Sequence, residues 1–290
     1  MTGEKSTLTN SVFETLAFFD AQDLALTAME IKNYLGEQAA LLEIEDCLSG
    51  DLRERVAGQH GLYFLRGRES LIKLRRSRYR TTLVRFHKTK KYLKFLCHVP
   101  YLRAVAISGS QALLNSTAAS DIDLLVVTRP NRIWLARTLV SVYFHLLGQR
   151  RHHEKVSNRF CLNHYLVADR EITEDRNLYT AVEYASLLPV LGEGAMQQFW
   201  QKNLWVKEFL PQMEPEKHGV FFAFRFSIWQ KILELILDFT LAAPLNYFLG
   251  LYQKSRVRRQ EYILVSDEEL SFHPGSRGQR ILSLYKQRIL

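Results

Sequence analysis

The stretch "SGSQALLNSTAASDIDLLVV", residues 108 to 127, decides the fold of this chain. It begins with two small residues, Gly109 and Ser110, and about ten residues later two aspartates, Asp121 and Asp123, lead into an apolar run. Successive side chains of a β-strand point to opposite faces, so the two aspartates share one face while Ile122 points into the core. Neighbouring carboxylates repel each other and raise each other's pKa, whereas a hard cation such as Mg²⁺ binds such pairs. The stretch therefore predicts a cation site at the start of a buried strand.

The Gly-Ser pair supplies the other half of the predicted site. Glycine lets the backbone approach a ligand closely, and Ser110 adds a hydroxyl group at the start of a predicted helix. Because helix N-termini attract phosphate, Gly109 and Ser110 are predicted to bind the phosphates of a nucleoside triphosphate. Asp121 and Asp123 would then hold the Mg²⁺ or Mn²⁺ ions that stabilise in-line attack at phosphorus.

The segments around this stretch predict an α/β sheet domain over residues 100–175. "RAVAISGS" from Arg103 is predicted as a short strand, "DIDLLVV" as a second and "RFCLNHYLVA" from Arg159 as a third. "NRIWLARTLVSVYFHLLGQR" lies between the last two strands and has the apolar spacing of a long amphipathic helix. Strands that alternate with helices are typical of α/β domains.

The spacing of these residues resembles the signature of the polymerase-beta-like nucleotidyltransferases. That signature runs apolar, Gly, Gly or Ser, about ten residues, Asp, apolar, Asp, apolar. Here it stands as Ile107, Ser108, Gly109 and Ser110, followed by Asp121, Ile122, Asp123 and Leu124. The resemblance covers roughly residues 100 to 170. It implies transfer of a nucleoside monophosphate from an NTP to a hydroxyl group, with release of pyrophosphate.

One position departs from the pattern of this superfamily. Its third carboxylate normally lies on a later strand of the same sheet, but "RFCLNHYLVA" contains no acid. Asn163 or His164 takes that position: the amide ligates or orients without acting as a general base, whereas His164 is able to accept a proton. Glu154 or Glu183, entering from elsewhere, is the other alternative. An inactive, nucleotide-sensing transferase domain within a DNA-binding regulator is therefore a second hypothesis beside an active enzyme.

Residues 1–69 are predicted to form a winged-helix-like domain. Thr27 is a predicted helix N-cap with Glu30 three residues later, which is the capping-box pattern. "EIEDCLSGDLRERVAGQHG" predicts further helix, and "GLYFLRGR" predicts a strand that opens a wing. Three helices before a β-hairpin is the winged-helix order. Bacterial and archaeal proteins that place such a unit before a nucleotidyltransferase domain are similar to the whole chain.

Positive charge is concentrated in one segment. The formal net charge is +9, and Arg66 to Lys94 hold twelve Lys or Arg and one acid, which leaves 39 − 12 = 27 bases against 30 − 1 = 29 acids elsewhere. Residues 70–99 contain no Gly or Pro and predict a connecting helix with a basic face and an apolar stripe, made of Leu83, Phe86, Leu93 and Leu96. The candidate contacts to a polyanion, RNA or DNA, are Arg75, Arg78, Arg85, Lys88 and Lys91; a solvated connecting helix is the alternative.

Residues 176–290 are predicted to form a C-terminal helical region, so the whole chain is expected to be α+β. The most apolar stretch runs from Ile232 to Leu251 and carries Glu234 and Asp238. Each acid would cost about 2.5–3.5 kcal/mol at a bilayer centre. The stretch is therefore interpreted as buried helices with a break at Pro244, without stable membrane insertion. A helix lying in the membrane interface is the alternative.

The remaining candidates carry weaker signals. Arg132 and Arg137 follow the second strand, where either is able to reach a triphosphate; solvation at the surface is the alternative for each. His152 and His153 are adjacent residues that do not share a helix face. Three cysteines outside metal-ligand spacing and the lack of an apolar leader favour a cytoplasmic protein. A small-molecule transferase of the aminoglycoside-modifying kind is a third hypothesis, in which the basic helix is only a scaffold.

Overall fold

The computed structural model describes residues 2–152, 155–173, 175–215, 224–257, 264–272 and 276–290. The helices are α1 (Thr2–Asp20), α2 (Ala28–Tyr34), α3 (Leu41–Ser49), α4 (Ser70–Leu93), α5 (Gly109–Ala112), α6 (Ile133–Leu146), α7 (Leu178–Ala185), α8 (Glu193–Lys202), α9 (Val206–Phe209), α10 (Ile228–Thr240), α11 (Ala242–Val257) and α12 (Ser276–Ile289). A 3₁₀ helix covers Lys94–His98. The strands are β1 (Val56–Gln59), β2 (Leu62–Leu65), β3 (Leu102–Ile107), β4 (Ile122–Thr128), β5 (Phe160–Val167), β6 (Leu188–Leu191), β7 (Leu264–Val265) and β8 (Glu269–Ser271).

The N-terminal unit has the predicted order of three helices and a hairpin. The capping box at the start of α2 is confirmed: the Thr27 hydroxyl accepts a hydrogen bond from the Glu30 N–H at 3.2 Å, and the Glu30 carboxylate accepts one from the Thr27 N–H at 2.8 Å. β1 and β2 pair antiparallel, and Tyr63 donates its N–H to the Leu26 carbonyl at 2.7 Å. The hairpin is thereby fastened to the segment before α2.

A six-stranded mixed sheet forms the centre of the molecule, in the order β6-β3-β4-β5-β8-β7. β4 and β5 are parallel, while the other neighbouring strands are antiparallel. This arrangement confirms the mixed α+β class. The expectation that the chain is nearly all helix after residue 175 is wrong, because β6, β7 and β8 belong to this sheet. The β6 sequence, Leu188–Leu191, is a four-residue apolar run, too short for its periodicity to separate strand from helix.

The two faces of the sheet contribute to different hydrophobic clusters. Val126 and Ile122 lie in the cluster that includes α6 residues, whereas Leu125 and Val127 lie in the cluster that includes α7 and α12 residues. Since residues two apart share a face, Asp123 belongs to the face covered by α7 and α12. α12 also packs along α1, where Tyr285 contacts the Phe18 ring at 5.8 Å. It therefore links the N-terminal unit to the face that carries the aspartates.

α4 connects the N-terminal unit to the sheet. Three members of its predicted apolar stripe are buried, Phe86 and Leu93 on the helix and Leu96 on the 3₁₀ turn, but Leu83 is 36% exposed. Polar side chains take up much of the remaining buried surface of the helix: Arg75, Thr82, Arg85 and Thr89. The inner face of α4 is therefore partly polar, which an apolar-spacing argument does not anticipate.

The apolar stretch from Ile232 to Leu251 differs from its prediction in two ways. α10 and α11 meet at an 85° bend at Leu241, and Pro244 lies in the first turn of α11, where proline is tolerated. Both helices are largely exposed instead of buried, and their exposed apolar side chains form what we call the outer face: Ile228, Trp229, Ile232, Leu233, Leu235, Ile236, Phe239, Leu241, Leu245, Tyr247, Phe248, Leu251 and Tyr252.

A span across a bilayer has a minimum length and apolar content. Within the described residues no single helix meets both conditions. The bent pair of α10 and α11, taken together, has the length and the composition of a span, and no other feature of the described residues indicates one.

Candidate active site

The Gly-Ser turn and the Asp-x-Asp strand meet at the centre of the sheet. β3 ends at Ile107, and the Ser108 N–H then donates to the Asp123 carbonyl at 3.0 Å. Gly109 follows with φ +63°, and a β-carbon added there would lie 2.8 Å from Oδ2 of Asp123. Only glycine combines this left-handed conformation with such a close approach to the carboxylate. The Gly-Ser turn and the Asp-x-Asp strand are therefore adjacent in the structure.

Asp123 is the buried member of the carboxylate pair, with 8% of its surface exposed. Burial raises its pKa to about 7, and the negative charges of Asp121 and Glu183 act in the same direction, while Arg277 and Arg151 oppose them. A buried carboxyl group under this repulsion gains strongly from a bound cation.

Asp121 lies nearer the solvent and already has a cationic partner. The Arg151 guanidinium donates from Nη1 to its carboxylate at 2.6 Å and contacts Cys161 Sγ at 3.4 Å. Cys161 is paired in register with Asp123 on the neighbouring parallel strand. Burial raises the pKa of the Cys161 thiol to about 12, with further contributions from Asp123 and Asp121. The thiol therefore stays protonated beside the two carboxylates.

These three side chains are the candidate metal ligands among the described residues. One ligand atom from each of Asp121, Asp123 and Cys161 lies within 4.8 Å of the others. Mg²⁺ and Mn²⁺ prefer carboxylate oxygens, so Asp121 and Asp123 fit such an ion. Thiol sulfur is a poor ligand for these hard ions, so Cys161 does not complete the set.

The two residues predicted for the third carboxylate position differ in their partners. Asn163 donates from Nδ2 to Asp123 Oδ1 at 3.3 Å, so its side chain lies within the acidic cluster. His164 contacts the Glu269 carboxylate at 3.2 Å, and the same glutamate accepts from Arg170. The structure thus places Asn163 beside the carboxylate pair, while a glutamate on β8 holds His164.

An acid from outside the strand lines the same cleft as the carboxylate pair. Glu183 projects from α7 into the cleft that Asp121 and Asp123 line, and its charge contributes to the raised pKa of Asp123. Glu154, the other residue considered for this role, lies outside the described residues. Of the two acids considered, Glu183 is thus the one that lines the cleft, together with Asp175 and Glu269, and it lies outside the tight Asp121–Asp123–Cys161 cluster.

The cleft above the carboxylates has a volume of about 1160 Å³ and is rich in arginine. The guanidinium groups that line it belong to Arg137, Arg150, Arg151 and Arg277. A second pocket of about 260 Å³ shares Gly109, Glu183 and Arg277 with this cleft and is also lined by Ser110, Arg78 and Arg280. Since arginines bind phosphate oxygens well, the two pockets together match an extended polyanion next to a cation site.

The basic residues predicted on α4 are largely turned inward. Arg75 donates to Glu30 at 2.6 Å, and Arg78 donates to the Asp23 carbonyl and to Asn115 at 3.1 Å each. These contacts join the N-terminal unit to the loop that follows α5.

Two further members of the predicted set also have partners within the chain. Arg85 donates to the carbonyl of Ala118 at 3.0 Å and to that of Asp121 at 3.4 Å, and Lys88 bonds the Asn158 carbonyl. Burial lowers the pKa of Lys88 to about 8, helped by Arg159 and Arg85. Arg75 and Arg85 are thus buried and Lys88 is half-buried. Arg78 reaches the smaller pocket, and only Lys91 of the predicted contacts is exposed.

Sequence reasoning missed most of a second set of bases on the same helix and named only Lys91 from it. The outer stripe of α4 and the following turn is exposed and consists of Lys73, Arg76, Arg80, His87, Lys91 and Lys94. The spacings of three, four and seven residues place these side chains on one helix face. The helical period was available in the sequence, but which of the two basic stripes faced solvent was not.

The weaker candidates fall in different places. Arg137 lines the cleft, whereas Arg132 is ion-paired with Asp238 at 3.0 Å on α10. His152 contacts the His145 ring at 5.4 Å, and His153 lies outside the described residues. Of these candidates, the structure brings only Arg137 to the cleft.

Comparison of the chain with protein-family models, with curated proteins and with solved structures finds no match. We therefore infer the function of the site from its own residues and geometry.

Proposed function

We propose that this protein is a Mg²⁺-dependent nucleotidyltransferase that moves a nucleoside monophosphate from an NTP to a hydroxyl group. The observation that carries this proposal is the close approach of Gly109 to the buried Asp123 carboxylate, at the floor of an arginine-lined cleft. A turn free of side-chain bulk beside a carboxylate pair leaves room for a phosphate chain and its metal in the same place.

In this proposal Asp121 and Asp123 hold the cation. The bound ion would neutralise charge on the transferring phosphoryl group and polarise its oxygens. Binding requires both carboxylates to be ionised, so Asp123 gives up a proton whenever it is protonated in the free protein. Arg151, now bonded to Asp121, is placed to move to a phosphate oxygen once the carboxylate has a metal partner.

The phosphates are bound by the Gly-Ser turn and the arginines. Ser110 and Gly109 lie between the cleft and the smaller pocket, so a triphosphate that crosses this turn contacts both. Arg277 lines both pockets and Arg280 lines the smaller one, and both project from α12. Charge-assisted hydrogen bonds from guanidinium groups are stronger than neutral ones and also fix the orientation of the phosphates.

The transfer itself is an in-line displacement at the α-phosphorus. The acceptor oxygen forms the new P–O bond, the bond from the α-phosphorus to the bridging oxygen breaks, and pyrophosphate leaves with that electron pair. The proton of the acceptor hydroxyl goes to a base in the cleft. Glu183 is the residue that we assign to this role, because it is a half-buried acid near Asp123.

The outer basic stripe of α4 favours RNA as the acceptor. Its bases extend from Lys73 to Lys94, which corresponds to roughly 30 Å of helix. Such a row contacts successive phosphates of a nucleic acid. A winged-helix-like arrangement of the N-terminal unit, with the order of three helices and a hairpin, would extend this surface. A protein hydroxyl or a small molecule as acceptor would leave the stripe without a role.

One observation favours a second function, a DNA-binding regulator that senses nucleotide without turning it over. β5 carries Asn163 and Cys161 next to Asp123 and no acid, and Arg151 already neutralises Asp121. A site of this kind would bind an NTP through its metal and fail to activate the acceptor. A regulator of this kind would bind a DNA duplex sequence-specifically and would transfer no nucleotide.

The test is label transfer from each α-³²P-labelled NTP with Mg²⁺ or Mn²⁺, with and without total cellular RNA. We expect label on RNA with the wild-type chain, no label with the double variant Asp121→Asn/Asp123→Asn, and full activity with Asp169→Asn. Asp169 is a matched control because its side chain is 71% exposed. Metal-dependent NTP binding without any transfer would overturn the proposal of an active transferase and support the proposal of a nucleotide-sensing regulator.

A further inference from the structure

We propose that the outer face of α10 and α11 docks the protein onto the surface of an anionic phospholipid bilayer, with both helices lying in the interface. This inference goes beyond the proposed nucleotidyltransferase function and stands independently of it. It rests on the reversed polarity of these helices, on the charge around their exposed face and on their length.

α10 is attached to the protein through its polar side. Glu234 is held by the Arg103 guanidinium through two hydrogen bonds of 2.9 Å, and Asp238 accepts from Arg129 at 2.5 Å and from Arg132 at 3.0 Å. Burial works against the charge on Asp238, but the hydrogen bonds from these two arginines hold its pKa below the ordinary value. The inner stripe of α10 is therefore a set of ion pairs.

The opposite side of α10 is apolar and faces outward. Phe239 is 84% exposed, Ile228 70% and Trp229 62%. A surface helix of a globular protein normally turns its apolar stripe to the core and its charges to water. α10 has the reverse arrangement, so its apolar stripe lacks the environment that would stabilise it.

α11 repeats this arrangement. Asn246 accepts a hydrogen bond from the Leu135 N–H at 3.0 Å, and Gln253 donates to the Thr138 hydroxyl at 2.9 Å, so polar side chains fasten it to α6. Phe248 and Tyr252 face outward with 65% and 58% exposure. The outer face therefore continues across the 85° bend, and monomeric soluble proteins rarely expose apolar patches of this kind without a partner.

The charge around the outer face points to a lipid partner. The only acids between residues 228 and 257 are Glu234 and Asp238, and both are paired inward. The exposed charged side chains among residues 224–257 are basic: Arg225, Lys231 and Arg256. The exposed acid next to α11, Asp267, is paired with Lys254. His98, at the end of the 3₁₀ turn that begins at Lys94, contacts Ser227 just before α10 at 2.8 Å. An apolar face with a basic rim is complementary to anionic headgroups above acyl chains.

The same rim disfavours a second copy of the chain as the partner. A two-fold interface brings identical patches together, so a basic rim would face a basic rim. Neither helix is long enough to cross the bilayer alone, since thirteen and sixteen residues correspond to about 20 and 24 Å against a hydrocarbon core of about 30 Å. Tryptophan and tyrosine side chains are enriched at the depth of the lipid headgroups. The outer face carries three of them, Trp229, Tyr247 and Tyr252.

Trp229 is a built-in probe for this proposal. The other three tryptophans, Trp134, Trp200 and Trp205, are at most 6% exposed, so only Trp229 is open to acrylamide quenching. We expect vesicles of phosphatidylcholine with about one third phosphatidylserine to shift the emission to shorter wavelength and to protect it from acrylamide. The protein should bind pure phosphatidylcholine vesicles at least about tenfold more weakly. Trp229→Phe should abolish the shift while co-sedimentation with the anionic vesicles persists.

A matched pair of variants separates docking from a general loss of solubility. Phe239→Glu places a charge at the most exposed large apolar side chain of α10 and is expected to weaken co-sedimentation at least about tenfold, with an unchanged circular-dichroism melt. Leu42→Glu, at a residue that is 68% exposed on α3, is expected to bind like the wild type. Two results would overturn the proposal: no emission shift with anionic vesicles, or a dimer in which Trp229 is already protected without lipid.

Discussion

The α-carbon of Gly109 faces the carboxylate of Asp123 so closely that a methyl group on it would stand 2.8 Å from Oδ2. This contact joins the two halves of the candidate site, because Gly109 starts the turn after β3 and Asp123 lies near the start of β4. It also explains why a glycine is required, since φ at this position is +63°. The Gly-Ser turn and the strand that carries the two aspartates are thus a single structural unit.

Gly109→Ala should damage both stability and ligand binding. A residue with a β-carbon loses roughly 1–2 kcal/mol of folding stability at this positive φ, and the contact with Asp123 adds to the loss. Gly61→Ala is the matched control, because Gly61 has φ +74° and nothing within 4 Å of an added β-carbon. Urea unfolding should show the larger loss at position 109, and NTP affinity should fall only there. Equal effects of the two substitutions would mean that the Gly109–Asp123 contact is unimportant.

Asp123→Asn should stabilise the metal-free protein at alkaline pH. Burial and the charge of Asp121 raise the pKa of Asp123 from 3.8 to about 7, so the folded state favours its protonated form. The contribution of this carboxyl to stability is present below about pH 4 and is lost as the pH rises through about 7. The amide avoids this loss, so at about pH 8 the variant should melt higher by about 2–4 °C for each kcal/mol regained.

The same substitution should remove stabilisation by metal. In the wild type Mg²⁺ should raise the melting temperature at pH 8 and do so less at pH 6, because the carboxylates must ionise to bind it. Thermal melts at both pH values with and without Mg²⁺ provide the measurement, with Asp169→Asn as the exposed control. A variant that melts below the wild type at pH 8, or that still responds to Mg²⁺, would contradict the assignment of Asp123 as a ligand.

Arg85→Gln should loosen the loop that carries Asp121. The guanidinium bonds the carbonyls of Ala118 and Asp121, and hydrogen bonds from charged groups contribute about 1.5–3 kcal/mol each. Arg80→Gln is the control on the exposed stripe of the same helix. We expect a loss of about 2 kcal/mol in urea unfolding for Arg85→Gln only, whereas Arg80→Gln should weaken RNA binding. If Arg85→Gln left stability unchanged and Arg80→Gln lowered it, the orientation assigned to α4 would be incorrect.

Glu183→Gln should slow transfer without weakening nucleotide binding. Loss of a general base typically costs about 10²–10⁴ in rate, while the metal and phosphate contacts remain. Single-turnover rates and NTP titrations, compared with Glu193→Gln on the exposed start of α8, separate the two effects. Transfer within about threefold of the wild type would exclude Glu183 as the base.

The sequence was sufficient to predict the elements that obey local rules. Thr27 and Glu30 form the expected capping box. β3, β4 and β5 lie at the three apolar runs that predicted strands. These features depend on side chains within a few residues of each other. The approach of Gly109 to Asp123 depends in addition on the antiparallel pairing of β3 with β4, which residues 108–121 connect.

Features that depend on long-range packing were not predictable in this way. Cys161 entered the site because β5 pairs in parallel with β4 and places it opposite Asp123, a register that no local pattern specifies. α4 has two basic stripes, and the one containing Arg75 and Arg85 is buried because acceptors from distant segments meet it. α10 was expected to bury its apolar side, but the arginines around Glu234 attach its polar side instead.

The products of nucleotide turnover test the central claim most directly. Wild-type protein and Asp121→Asn/Asp123→Asn would be incubated with NTP, Mg²⁺ and RNA, and pyrophosphate, orthophosphate and incorporated label would be measured together. We expect one pyrophosphate for each nucleotide incorporated by the wild type, no orthophosphate, and neither product from the double variant. Orthophosphate release without incorporation, or equal turnover by the double variant, would contradict nucleotidyl transfer at this site.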